Sequence, residues 1–199
     1  MNPLISEVNS YPFDRLRNLL SKSSPKRNKN DLINLSIGEP KQNSNKEILK
    51  ILKKNEKLFS QYPPIESIRD LTNSYKTYLN KRFGVSNIEN ENILNLGGTR
   101  EGTFSVIQSL FNRSLKVKKP FIYMPNPFYQ IYGGASLFAG AISKYINLNE
   151  EKDFILDLDS VSENQWRKCQ ILIMCSPSNP TGSAVSYTHL RAHETSLHL

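Results

Sequence analysis

What this 199-residue chain lacks sets its outer bounds. No apolar run reaches the ~18–20 residues that a membrane-spanning helix needs, which argues against membrane insertion. The opening Met1-Asn2-Pro3-Leu4-Ile5-Ser6-Glu7 has neither the basic start nor the apolar stretch of a secretory signal, so the expected location is cytoplasmic. Cysteine is scarce. Its two cysteines, Cys169 and Cys175, flank and enter the apolar run Ile171-Leu172-Ile173-Met174, the pattern of a buried strand with free thiols rather than of a disulfide or a metal site. Histidine is absent before Tyr187.

What is present describes an ordinary globular chain. Hydrophobic residues at 38% and charged residues at 22% exclude a disordered composition, and the length suffices for one sizeable core. The formal net charge is +8. Such a balance suits a nucleic-acid or acidic partner when the charge is clustered. Here Lys and Arg are scattered among many Asn and Ile residues, which favours AT-rich coding bias and no nucleic-acid partner.

Periodicity predicts a helix over Tyr11–Leu20 entered through Pro12, an exposed loop over 21–30, a strand over Leu32–Ile37, and helices over Lys46–Phe59 and Ile65–Phe83, the last capped by Gly84. Strands and helices then alternate: strand Ile93–Leu96, helix Thr99–Leu110, strand Phe121–Met124, a helix to about Ala139, strand Ala141–Ile146, helix Ser160–Arg167 and strand Ile171–Cys175. This alternation implies an α/β fold with a doubly wound, mostly parallel sheet. In such sheets ligands bind at the carboxyl ends of the strands.

The end of the chain reads differently. His189 and His193 stand four apart and, with His198, invite a metal reading. Yet Ala184 to Thr195 resembles a translated sequencing-adapter tail, so residues 183–199 are set aside as non-native and no metal site is expected.

Three strand-end turns carry chemistry. In Asn95-Leu96-Gly97-Gly98-Thr99-Arg100-Glu101 a glycine pair opens a helix, so backbone N–H groups of Thr99 and Arg100 can face an anion. In Pro125-Asn126-Pro127-Phe128-Tyr129-Gln130-Ile131-Tyr132 an aromatic ring stands ready to stack on a planar ligand. In Cys175-Ser176-Pro177-Ser178-Asn179-Pro180-Thr181-Gly182 a rigid turn presents the Asn179 amide. Alone, the first is better read as a plain strand–helix turn and the second as core, and the third is reasonable as a turn in which Asn is only a turn former. Their order along one sheet is what raises the chemical reading.

With these residues in view the chain resembles a class I/II aminotransferase of pyridoxal-phosphate fold type I over nearly all of residues 1–182. Ser176-Pro177-Ser178-Asn179-Pro180-Thr181-Gly182 is similar to the family's SPxNPTG motif. Gln61-Tyr62-Pro63-Pro64-Ile65-Glu66-Ser67-Ile68-Arg69 resembles its Tyr-Pro…Gly…Leu-Arg segment, with Ser67 in place of the usual Gly and Leu not adjacent to Arg69. Tyr11 to Arg17, Leu35 to Lys41, Gly98 to Glu101 and Pro125 to Ala135 look closer still to the succinyldiaminopimelate aminotransferases.

The resemblance implies an incomplete cofactor-binding large domain over 46–182, preceded by an N-terminal arm and part of a small domain over 1–45. It implies pyridoxal 5′-phosphate as cofactor and a homodimer acting on amino-acid and 2-oxo-acid substrates. Gly38 would lie beside the substrate carboxylate. Tyr62 would reach the cofactor phosphate of the partner subunit, while Gly98, Thr99 and Arg100 hold the phosphate of their own. Tyr129 would stack on the pyridine ring, and Asn179 would hydrogen-bond its phenolic oxygen. The family's Schiff-base lysine, its Asp and Tyr partners and its two arginines have no counterpart before Gly182, so no catalytic residue is assigned and the 199-residue polypeptide is expected to be inactive and poorly soluble. The implied reaction moves an amino group from glutamate to N-succinyl-2-amino-6-oxopimelate, toward diaminopimelate and lysine. Alternatives are an aspartate or aromatic aminotransferase, a fold-type-I lyase, and, in another class, a basic non-enzymatic binding domain.

Overall fold

The computed structural model describes residues 12–23, 38–40, 42–62, 64–114 and 120–185. The chain forms two compact units that part between Asn95 and Leu96. This boundary reflects packing; the expected one at 45/46 reflects family resemblance.

The first unit is helical. Helix α1 (Pro12–Leu20) begins with a proline, whose missing N–H would have no partner in a first turn anyway. The expected strand over Leu32–Ile37 lies outside the described residues, as do Tyr11 and residues 24–30. Helix α2 (Lys46–Lys54) is capped by Asn45, whose Oδ1 accepts from the Glu47 N–H at 2.9 Å. It stops short of the predicted Phe59. Asn55 takes φ −108° and its Nδ2 donates to the Ile51 carbonyl, so the chain tightens into a 3₁₀ turn over Glu56–Ser60. An Asn side chain that bonds local backbone in this way competes with the helical ladder. Helix α3 (Ile65–Phe83) ends where expected. Gly84 sits at φ +69° and gives its N–H to the Asn80 carbonyl at 2.8 Å.

The predicted strand Ile93–Leu96 does not form. A strand needs a neighbour for its ladder, and no strand among the described residues pairs with it. Asn95 instead turns its amide to helix α3, donating to Thr72 Oγ1 at 2.7 Å and to the Ile68 carbonyl at 3.3 Å.

The second unit is the α/β part. Strands β1 (Phe121–Asn126), β2 (Ile142–Asn147) and β3 (Cys169–Leu172) run parallel in the order β2-β1-β3. Helices α4 (Thr99–Leu110), α5 (Ile131–Ala139) and α6 (Glu163–Trp166) accompany them. Both faces of β1 are covered. Ile122 and Met124 pack with Ile107, Phe111, Tyr132, Ala135 and Ala139 from the α4 and α5 side. Tyr123 packs with Ile146 and Val161, and its ring centroid lies 5.2 Å from that of Trp166. Burial on both faces explains why β1 is an apolar run rather than an alternating one.

The strand expected over Phe121–Met124 extends to Asn126, that over Ala141–Ile146 lies at Ile142–Asn147, and that from Ile171 starts at Cys169; two further boundaries move for local reasons. The helix predicted from Ser160 starts at Glu163, after a 3₁₀ turn over Leu158–Ser160, because Ser162 and Gln165 form a capping box there. The strand predicted to reach Cys175 ends its ladder at Leu172, with one more bond from the Ile173 N–H to the Tyr123 carbonyl at 2.8 Å. Phe121 and Tyr123 direct their backbone groups toward β3, so Pro125 faces the same side. The next rung would need a Pro125 N–H, which proline does not have.

Candidate functional site

Helix α4 is anchored at the amino-terminal edge of the sheet. Just past its end, the Asn112 N–H donates to Gln170 Oε1 at 2.9 Å and Gln170 Nε2 returns a bond to the Asn112 carbonyl at 3.0 Å. Arg113 joins the α5 end in the same place, bonding the Phe138 and Ala139 carbonyls. A 12-residue helix is about 18 Å long, close to the reach of a six-residue strand. The start of α4 therefore lies toward the carboxyl edge, where β1 runs into Tyr129 and β3 into Ser176. The three turns singled out in the sequence, 97–101, 125–129 and 176–182, therefore all lie toward that edge.

Gly98 precedes the first turn of α4 and has no side chain to cap it. A Cβ there would sit 2.6 Å from Glu101 Oε2, so the carboxylate folds back over the helix start. A helix start of this kind, with its leading N–H groups and dipole, favours a negative oxygen. Thr99 and Arg100 are exposed.

The three aromatic residues of the second turn differ in use. Phe128 is already stacked on Tyr145, with centroids 5.5 Å apart. Tyr132 is buried. Tyr129 is half-buried and meets Tyr132 edge to face at 5.8 Å and 87°.

The third turn is closed by its own backbone. Gly182, at φ +77°, donates to the Ser178 carbonyl at 2.7 Å, and the Ser178 N–H donates to the Ser183 carbonyl at 2.8 Å. Ser183 Oγ ties it to the Phe154 carbonyl at 2.8 Å. Asn179 is left exposed. Behind the turn, Ser178 Oγ is buried with no partner and lines a small apolar pocket with Pro125, Phe154, Leu156, Met174 and Cys175.

Sequence reasoning reads Tyr132 as core, and it is buried with Ile122 and Met124; Cys175, read as a strand thiol, lies three residues past the end of β3. Cys175 is free and half-buried, and its Sγ donates to the Pro177 carbonyl at 3.2 Å. Burial, followed by the nearby Cys175 charge and a hydrogen bond to Cys175, pushes the Tyr132 hydroxyl up to about 12.

Gly38 and Tyr62 lie in the first unit. Gly38 has open space where a Cβ would be, and Tyr62 is 98% exposed. The three histidines fall outside the described residues, and no group of three or more His, Cys, Asp or Glu among the described residues suits a metal ion. Among the same residues no helix is long and apolar enough to cross a membrane.

Comparison with known proteins agrees with this picture. The family model "Aminotransferase class I and II" matches residues 30–193, which includes part of the segment set aside as non-native. An LL-diaminopimelate aminotransferase of Natranaerobius thermophilus is 28% identical over 192 residues, covering 93% of this chain and 47% of that protein. Another, from Syntrophobacter fumaroxidans, is 31% identical over 77% of this chain and 39% of its own length. Among solved structures, an aminotransferase from Neisseria meningitidis superposes with TM-score 0.85 at 32% identity, over 98% of this chain and 49% of that one. The aminotransferase AspB from Helicobacter pylori gives 0.80 at 31%, over 94% and 48%. The chain thus spans about half the length, or less, of the relatives it matches. These relatives share the fold-type-I architecture, and the family's cofactor is pyridoxal 5′-phosphate. With the family model covering most of its residues and the three turns in place on the sheet edge, the chain belongs to the class I and II aminotransferases.

Proposed function

We propose that the full-length protein bearing this sequence moves an amino group between an amino acid and a 2-oxo acid. The carrying observation is that the Gly98, Tyr129 and Asn179 turns all lie toward the carboxyl edge of one parallel sheet. The residues present fit pyridoxal 5′-phosphate: the α4 start after Gly98, beside which the Glu101 carboxylate lies, suits a phosphate, and the half-buried Tyr129 and exposed Asn179 suit a planar ring with a phenolic oxygen. When bound, the cofactor supplies the electron sink for the reaction.

Gly98, Thr99 and Arg100 hold the phosphate through backbone N–H groups, Tyr129 stacks on the ring, and Asn179 donates to the phenolic oxygen. Gly38 lies beside the substrate carboxylate. Tyr62 serves the other subunit of a homodimer, a role that its exposed ring supports. The substrates are glutamate and N-succinyl-2-amino-6-oxopimelate, a reading supported by the stretches Tyr11–Arg17 and Pro125–Ala135. Unacylated LL-diaminopimelate is the second reading, favoured by the names of the two relatives above.

The test incubates the full-length protein and its cofactor with 2-oxoglutarate and either N-succinyl-LL-diaminopimelate or LL-diaminopimelate, and measures glutamate. Turnover of the succinylated compound supports the first reading, and turnover of the free one alone supports the second. Aspartate or aromatic amino acids as sole donors would overturn both, and elimination without glutamate would indicate a lyase. Asn179→Ala is expected to lower kcat/KM by about 10- to 100-fold, the loss of one hydrogen bond to a charged group.

A further inference from the structure

Strand β2 carries none of the three candidate site turns, yet it holds the one that bears Tyr129. The β1–β2 ladder keeps its register to the last residue of each strand, pairing Asn126 with Asn147, whereas the β1–β3 register ends at Tyr123. Asn126 Nδ2 donates to Asn147 Oδ1 at 2.8 Å, and the Leu148 N–H donates to the Asn126 carbonyl at 2.8 Å. The turn over 125–129 therefore leaves the sheet fastened to β2. Two residues on, the Phe128 ring stacks on Tyr145, with centroids 5.5 Å apart and planes 24° apart. The same ring lies against α5, where a Cβ on Gly133 would come within 3.2 Å of Phe128 Cε2. Alternation along a strand puts Ser143 and Tyr145 on one face of β2. Ser143 Oγ donates to Ser136 Oγ of α5 at 3.0 Å. Strand β2 thus grips both the residue before Tyr129 and the helix after it. That helix supplies Tyr132, which meets the Tyr129 ring edge to face at 5.8 Å and whose N–H donates to the Tyr129 carbonyl at 3.0 Å.

We infer that Tyr145 is a positioning residue: its ring fixes Phe128, and Phe128 fixes the pose of the adjacent Tyr129 that covers the cofactor. The inference rests on the function proposed above and deepens it. Tyr145 does not need to reach the cofactor. What it supplies is a flat apolar surface, and aromatic pairs favour defined stacked geometries over arbitrary ones. Phenylalanine at 145 keeps that surface, and alanine does not. Tyr145 is 49% exposed, so trimming it leaves the buried core around Ile122 and Met124 in place.

The test uses the full-length protein with Tyr145→Phe, Tyr145→Ala and Phe128→Ala. Three quantities are read: the dissociation constant for pyridoxal 5′-phosphate, the visible circular dichroism of the bound cofactor, which follows the orientation of the ring that covers it, and the melting temperature of the cofactor-free protein. Tyr145→Ala is expected to weaken cofactor binding about threefold to tenfold, the worth of one aromatic pair, and to alter the dichroism band. Tyr145→Phe keeps affinity within about twofold of wild type and leaves the band unchanged. With Phe128→Ala already in place, Tyr145→Ala adds nothing further, because the pair acts as a unit. Where Tyr145→Ala fails to fold, Tyr145→Leu takes its place, since it keeps apolar bulk without the flat ring. A lowered melting temperature in Tyr145→Ala with affinity and band unchanged would overturn the inference and leave the proposed function standing. So would a loss in Tyr145→Phe equal to that in Tyr145→Ala, or a full further loss on the Phe128→Ala background. Failure of the wild-type protein to bind the cofactor at all overturns both.

Discussion

The two units of this chain treat their apolar residues in opposite ways. In the sheet unit Ile122 and Met124 are wholly inaccessible, enclosed between helices and neighbouring strands. In the helical unit α2 buries no residue, and its apolar stripe of Ile48, Leu49, Ile51 and Leu52 stays 45–61% exposed. On α3 Ile65, Ile68, Leu71, Tyr75 and Tyr78 follow helical spacing and are exposed too, while Thr72 is buried. An amphipathic pattern and good caps suffice to specify a helix. A core needs a second surface to close on it. The sheet unit contains that surface within the described residues, and the helices of the first unit rest on local bonds such as the Asn45 and Gly84 caps.

The sharpest way to break this contrast is to truncate a residue in each unit. Met124→Ala is expected to cost about 2–5 kcal/mol in urea unfolding, as for other fully buried large-to-small changes, and Leu49→Ala less than about 1 kcal/mol. Equal losses would mean that the apolar stripe of α2 is covered in solution. Gly84→Ala tests the local bonds of the helical unit. Alanine at φ +69° is strained, and a cost of about 1–2 kcal/mol is expected from thermal melts. The alkaline limb sharpens the sheet side. The Tyr132 hydroxyl is raised to about 12 from its ordinary value near 10, so the native state favours the protonated phenol. Its stabilisation is complete below pH 10 and is lost as pH rises through 12. Melting temperature should therefore fall less steeply for Tyr132→Phe than for wild type across that window. The smallest effect belongs to the surface pair of Glu163 and Arg167, whose side chains are 80% and 71% exposed. Glu163→Gln should change stability by less than about 0.5 kcal/mol.

These particulars also show which features were legible in the sequence. Helix α3 was read to its last residue because its period and its Gly84 cap are local signals. Helix α2 was overrun because a single side-chain bond from Asn55 decides its end. Ile93–Leu96 has the composition of a strand, but pairing depends on a neighbour that no local pattern encodes. The three site turns were found because Gly, Pro and Asn announce themselves. The tie from Asn112 to Gln170 was not, since it joins segments 58 residues apart that only the fold brings side by side.

The order β2-β1-β3 bears on how this protein is made. The central strand β1 leaves the ribosome before either neighbour, and the partner on its β3 side comes last, after β2 and the whole 3₁₀ and α6 region. At about 5–20 residues per second, translation leaves one edge of an apolar strand open for a few seconds. During that interval the nascent chain offers a ready template to any extended segment nearby. In the folded chain the Asn112–Gln170 clasp ties that last strand to the end of α4.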